Sequence, residues 1–164
     1  MSAKPHIILA AEEGTSLSSG SLQLYASLDT SITPQAGDPI IGAVELYNYD
    51  PLNRRAAVGI MVATEYRRQG YALAMLQELH HMFSRPAGDI PEIQATNQHD
   101  NPQDVQELAK REPRLHCLYA DIAECNSASI SLFRKAGYNE CGHFKEWLNV
   151  DGRYLDTIRM QKLL

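Results

Sequence analysis

The sequence predicts a single α/β domain, with a mixed central sheet flanked by helices. Three observations predict it. Short segments with apolar residues at alternate positions recur along the chain, as half-buried strands require. Amphipathic segments with helical spacing interrupt them, and Asp151-Gly152, set between two extended runs, is a strong two-residue hairpin turn. At 164 residues, one domain over 1-164 is long enough to bury a core without disulfides or metals.

Taken in order, Met1 to Gly20 is rich in Ser, Gly and Glu after the apolar patch Ile7, Ile8 and Leu9, and is expected to be mostly irregular. Ser21 to Leu28 alternates Leu22, Leu24 and Ala26 with polar residues and reads as a strand. Thr33 to Pro39, with two prolines and a glycine, is a loop. Ile40 to Tyr47 is the next strand, Asn48 to Asn53 a turn centred on Asp50-Pro51, and Ala56 to Val62 an antiparallel neighbour. Gln69 to Ser84 follows as a helix, because Ala72, Met75, Leu76, Leu79, Met82 and Phe83 form one apolar stripe.

Residues 86-113 depart from this rhythm, carrying four of the eight prolines and a polar run from Thr96 to Asp104. They read as an inserted surface excursion with a brief helix near Gln103 to Lys110. Leu115 to Ala123 returns as a strand. Asn126 is placed to cap a helix over Ser127 to Lys135, with Gly137 where a left-handed C-terminal residue belongs. Tyr138 to His143 and Lys145 to Val150 are extended, and Tyr154 to Gln161 is the strand returning from the hairpin turn.

Composition excludes several functions. The formal net charge of −5 argues against a general nucleic-acid surface and suits a cationic partner. No apolar run approaches membrane-spanning length and the N-terminus lacks a signal pattern, so a cytoplasmic enzyme is expected. Cys117, Cys125 and Cys141 contain no C-x-x-C pair and read as core thiols rather than a disulfide framework or a zinc site. His80 and His81 lie about 100° apart on a helix, so no metal site is predicted.

The stretch with chemistry in it is Arg67-Arg68-Gln69-Gly70-Tyr71-Ala72, a basic glycine-containing turn between a strand and an amphipathic helix. The first amides of a helix have no intrahelical partner and lie at the positive end of its dipole. Gly70 lets an anion approach the backbone, and Arg67 and Arg68 add guanidinium donors suited to phosphate oxygens. A diphosphate site is the functional reading.

This turn resembles the acetyl-coenzyme A signature of the GNAT superfamily of N-acetyltransferases, Q/R-x-x-G-x-G/A, met by Arg67, Gly70 and Ala72. Asn126-Ser-Ala-Ser-Ile-Ser-Leu-Phe-Arg-Lys-Ala-Gly-Tyr138 resembles the family's later helix, N-x-x-A-x-x-L-Y-x-K-x-G-F. The resemblance implies a GNAT-like, mostly antiparallel sheet and acetyl-CoA as cosubstrate. Its pantetheine arm would run along Ile60, Met61 and Val62, its diphosphate would sit on Arg67 to Ala72, and Asn126 and Phe133 would complete the cofactor site. It further implies a splayed gap between Gly59 to Ala63 and Leu115 to Ala123, and an oxyanion donor among the amides near Met61 or Val62. The acceptor amine would attack directly, so neither Cys125 nor Ser127 is needed as a nucleophile. Asp121 is the first candidate base, ahead of Glu124 and His116. The family's Tyr is replaced by Phe133, which leaves Tyr138, Tyr119 or a bound water to protonate the leaving thiolate.

The resemblance covers about Ser21 to Leu164 and lacks the strand and two helices with which relatives begin. Within the superfamily, Arg55 to Val62 and Trp147 to Met160 are similar to the branch of spermidine and ribosomal-protein acetyltransferases. That branch implies a polyamine or a protein N-terminal amine as acceptor. The alternative is a non-catalytic coenzyme A binding module, and a third possibility is an interaction protein without a cofactor. With its usual neighbour missing, Ser21 to Leu28 is expected at a bare sheet edge, which favours a homodimer. The competing expectation is that Met1 to Ala11 folds back, with Ile7 and Leu9 covering that edge.

Overall fold

The computed structural model describes residues 7–11, 21–28, 40–84 and 114–164. The strands are β1 (Ile7–Ala11), β2 (Ser21–Leu28), β3 (Ile40–Asp50), β4 (Arg55–Val62), β5 (Cys117–Ala123), β6 (Asn139–Val150) and β7 (Arg153–Leu163). The helices are α1 (Tyr71–Ser84) and α2 (Ser127–Lys135). One seven-stranded sheet runs in the order β1-β2-β3-β4-β5-β7-β6. Every ladder in it is antiparallel except β4 with β5.

The N-terminal expectation needs correcting. Ile7–Ala11 is a strand, antiparallel to β2 in the register Ile7 with Leu28 and Ala11 with Leu24. β2 is therefore an interior strand, and the fold-back alternative describes this part of the chain. The strand Leu115 to Ala123 starts two residues later than expected, at Cys117. Of the other expectations, the loop at Thr33 to Pro39 and the excursion over 86-113 with its helix lie outside the described residues.

Alternation along the strands separates two faces. Leu22, Leu24, Val44, Leu46, Val58, Leu118, Ala120 and Met160 are buried in one core with Met75, Leu76, Leu79 and Phe83 of α1 and Phe133 of α2. Both helices pack on that face and touch each other. The intervening residues, among them Gln23, Glu45, Tyr47, Gly59, Tyr119, Asp121 and Arg159, point to the other face.

Local signals explain the element ends. The Asn126 side chain accepts from the Ser129 amide at 3.1 Å and caps α2. At the other end the Gly137 amide donates to Arg134 O and the Tyr138 amide to Phe133 O, which closes the helix around a left-handed Gly137 with φ +89°. Asp151 and Gly152 both have positive φ, 51° and 79°, as a hairpin turn of the predicted type demands. The two runs expected before that turn are one strand, β6, kinked where register shifts fall between Glu140 and Gly142 and between Phe144 and Leu148.

Candidate functional site

β4 and β5 pair at Arg55 with Cys117, Ala56 with Leu118 and Ala57 with Tyr119, and at no later residue. Beyond that point β4 stays on β3, through Leu46 with Val58 to Gly42 with Val62. β5 stays on β7 as far as Ala123 with Thr157. The two parallel strands therefore part, and from Val58 to Val62 the β4 backbone has lost its neighbour on one side. A Cβ at Gly42 would collide with the Met61 carbonyl oxygen, so only a glycine lets β3 hold β4 this closely.

The basic turn lies at the end of this parted strand. After a single 3-10 turn at Thr64–Tyr66, α1 opens with the Ala74 amide donating to Gly70 O, which leaves the amides of Tyr71, Ala72 and Leu73 ahead of the first helical bond. Gly70 has φ +90°, and a Cβ built there meets nothing within 4 Å. The backbone thus faces open space at the positive end of a 14-residue helix. Arg67 and Gln69 spend part of their donors on shaping the turn: Arg67 Nε donates to Val62 O at 3.0 Å and Gln69 Nε2 to Glu65 O at 2.8 Å. Arg68, at φ +60°, is exposed. This turn suits a diphosphate, because free helix amides and an open glycine meet at the positive end of α1, with Arg67 and Arg68 exposed on the same turn.

The expected proton-transfer groups are distributed differently. Asp121 projects from β5 on the face opposite α1 and α2, helix-free among the described residues, where Arg159 Nε and Nη2 donate to its two carboxylate oxygens, each at 2.7 Å. The same guanidinium lies 4.7 Å from the Tyr119 ring centre and 5.0 Å from that of Phe144. A carboxylate held by both oxygens on a guanidinium is fixed in place and serves to position that guanidinium.

Tyr138 is corrected more sharply. It is buried in the core, its hydroxyl 3.1 Å from His80 Nε2 and its ring edge-on to Phe133 with centroids 4.9 Å apart. Burial, then the nearby Cys117 thiol, push its pKa up. His80 is nine residues along α1 from Tyr71, about 13 Å at the helical rise, so Tyr138 lies well away from the turn. Its hydroxyl is turned to His80 in the core, which does not favour it as the acid. Phe133 is buried beside it as a core residue.

His116 precedes β5 at its paired end, its amide donating to Arg54 O and its carbonyl accepting from Leu164, which removes it from the parted end. Glu124 lies just past β5 in a group that sequence reasoning missed. His143 Nε2 is 3.3 Å from Asp156 Oδ2 and 3.9 Å from Glu124 Oε2, and the three offer ligand atoms all within 4.8 Å of one another. Asp156 also accepts from the Glu146 amide at 2.8 Å, and its carbonyl from the Glu124 amide. The cluster is thereby accounted for as a tie between β5, the kink of β6 and β7.

Two further residues had a signal only in the alternation of their strands. Glu45 and Tyr47 sit on β3 opposite Gly59 and Ala57 of β4, on the helix-free face. Tyr47 has its pKa raised, by burial first and then by the negative groups on this face, with Arg159 opposing them.

A family model described as the acetyltransferase (GNAT) domain matches residues 13–139. The chain belongs to this family. Among curated proteins, the spermidine N(1)-acetyltransferase of Vibrio cholerae serotype O1 is 25% identical over 130 residues, 79% of this chain and 60% of that protein. The chain thus spans well under two thirds of that relative's length. The spermidine N-acetyltransferase of Vibrio cholerae, solved in complex with CoA and spermine, superposes with a TM-score of 0.62 at 21% identity, covering 89% of this chain and 67% of that one. A chimera of the Vibrio cholerae enzyme and hSSAT gives 0.62 at 22% identity, covering 88% and 67%. These structural likenesses establish the fold: the GNAT-like mixed, mostly antiparallel sheet expected from the sequence is the one observed.

Proposed function

We propose that the protein is an N-acetyltransferase that moves the acetyl group of acetyl-CoA to a primary amine by direct attack. The observation that carries this reading is the parting of β4 from β5 after the Ala57–Tyr119 pair, with the open cradle at Gly70 at the end of the same strand. Acetyl-CoA, when bound, supplies the activated acyl group and the thiolate leaving group. Arg68, the amides after Gly70 and the remaining donors of Arg67 hold its diphosphate, and Ile60, Met61 and Val62 present backbone to its arm. An amide near Met61 or Val62 stabilises the oxyanion, which needs a donor fixed in advance in a site from which water is displaced. Asn126, at the start of α2, borders the site, and Phe133 supports it from the core.

Tyr119 takes over the acid role in place of Tyr138, since it stands on β5 at the last paired position before the gap. Asp121 acts through Arg159, which it orients over the Tyr119 ring. A polyamine is the leading acceptor, supported by the curated relative, with a protein N-terminal amine as the second. The reading is completed by the cytoplasm, with no helix of the described residues long and apolar enough to cross a membrane, and by a homodimer. The homodimer no longer rests on β2 as a bare edge, because β1 pairs with it, and light scattering decides it.

An amine panel with acetyl-CoA and detection of released thiol tests the activity. Thiol release that depends on a primary amine is the expected result. Tight coenzyme A binding with no release in the presence of any amine would favour the non-catalytic coenzyme A module instead.

A further inference from the structure

The helix-free face of the sheet carries one carboxylate beside the gap that is not neutralised. Asp121 is paired with Arg159, whereas Glu45 accepts one hydrogen bond, from Ser21 Oγ at 3.0 Å, and pairs with no cation among the described residues. Glu45 stands directly opposite Gly59, two residues past the end of the β4–β5 ladder. Gly59 contributes no side chain there, and a Cβ on it would meet only Tyr47 Cε1 at 3.7 Å and Glu45 Cβ at 4.0 Å. On this face the Gly59 backbone, beside the parted strands, is therefore flanked by the side chains of Tyr47 and Glu45. Met61, 67% exposed, lies two residues further along the same strand and face, about 7 Å from Gly59 at the strand rise.

We propose that Glu45 is a specificity-determining residue that binds a second ammonium group of the acceptor while the first is acetylated in the gap near Met61. The inference rests on the acetyltransferase reading and narrows its acceptor class to amines carrying another positive charge a few methylenes away. A half-buried carboxylate without a cationic partner gains a charge-assisted hydrogen bond when such an ammonium arrives, while Ser21 keeps its carboxylate oriented. The neighbouring Tyr47 ring offers its face to the same cation. An acceptor with a single amine reaches the gap but leaves Glu45 unpaired.

The experiment compares the parent protein, Glu45→Gln and Glu45→Asp with two probes, spermidine and n-butylamine, by thiol release, with coenzyme A affinity and melting temperature measured on each. The parent should prefer spermidine. Glu45→Gln should lose about 10- to 100-fold in kcat/KM for spermidine, chiefly through KM, and change little for n-butylamine, since one hydrogen bond to a charged group is removed. Glu45→Asp should recover part of the preference. A spermidine preference kept in Glu45→Gln, or an equal loss for both amines at unchanged stability, would overturn the assignment. A parent that acetylates neither amine would overturn both this assignment and the polyamine acceptor, and a protein N-terminal peptide acetylated in the same assay would show that the acetyltransferase reading survives without them.

Discussion

The two faces of the sheet are built from the same strands and do opposite things. On one, Leu22, Leu24, Val44, Leu46, Val58, Leu118, Ala120 and Met160 are apolar and buried in one core with α1 and α2. On the other, the alternate residues are Gln23, Glu45, Tyr47, Tyr119, Asp121 and Arg159, which are polar and only partly buried. Buried apolar area supplies stability, so the helical face has little tolerance for charge. The helix-free face contributes less burial and can keep carboxylates, hydroxyls and a guanidinium within reach of a substrate. Between the faces lies the gap where β4 and β5 stop pairing after Ala57 and Tyr119.

The largest expected effect breaks this division at the turn that joins the faces. Gly70→Val places a β-branched side chain at φ +90°, in the open space that the cradle offers to phosphate. Coenzyme A affinity should fall by about 100-fold or more, the equivalent of losing two or more charge-assisted hydrogen bonds. Calorimetric titration measures it, and unchanged affinity would move the diphosphate elsewhere.

Two substitutions of comparable size then set the faces against each other. Leu118→Ala, on the helical face of β5, should cost about 2–5 kcal/mol of stability by leaving a cavity, with the affinity of the remaining folded protein for coenzyme A little changed. Tyr119→Phe, the next residue and on the other face, should leave the melting temperature within about 2 °C and lower kcat by about 10- to 100-fold if its hydroxyl gives the proton to the thiolate. Thermal melts and saturation kinetics on both variants separate the faces. A Tyr119→Phe enzyme with full kcat would return the acid to water. Asp121→Asn should fall between these two, with a several-fold loss in kcat from a loosened Arg159 and no shift in the pH–rate profile. A profile that did shift would restore Asp121 as the base.

The division also explains what could be read in the sequence. Apolar alternation placed β2, β3, β4 and β5, and chemistry at the ends placed α2 and the last hairpin, because Asn126, Gly137 and Asp151-Gly152 each satisfy a backbone requirement that few residues meet. The Arg67 to Ala72 cradle was legible for the same reason. β1 was missed because five residues alternating in no clear period gain their order from pairing with β2, a contact at a distance. The proton-transfer residues were the least legible. Whether Asp121 is a free base or an ion-pair partner depends on Arg159, 38 residues away on a strand that pairs with its own. Tyr138 followed the second motif and was credited with chemistry, but its position past a helix end turns it into the core.

The smallest expected effect concerns the polar pair inside the otherwise apolar face. His80 lies in the α1 stripe, buried, and its imidazole is 3.1 Å from the Tyr138 hydroxyl, joining α1 to the chain just past α2. Burial first, and Lys162 second, lower its pKa from 6.5 to about 4. The folded state therefore holds this imidazole neutral between those two values while the unfolded chain binds a proton. Stability is unaffected by His80 above about pH 6.5 and declines as pH falls from there to about 4, since the unfolded state binds more protons throughout that window. Below about pH 4 the contribution levels off because both states are protonated. The shift taken in full is worth about 3 kcal/mol, and solvent screening of a side chain that is not fully enclosed reduces the expected decline to about 1–2 kcal/mol, or roughly 2–8 °C in melting temperature. His80→Phe would keep an aromatic ring against Tyr138 and remove the titration, at the cost of leaving the Tyr138 hydroxyl unpaired in the core. Its melting temperature should be lower than the parent's at pH 7.5, and the difference should narrow toward pH 4.5. A gap that stays constant across that range would mean that His80 titrates at the same pH in the folded and unfolded chain, and that its burial carries no penalty for the charged form.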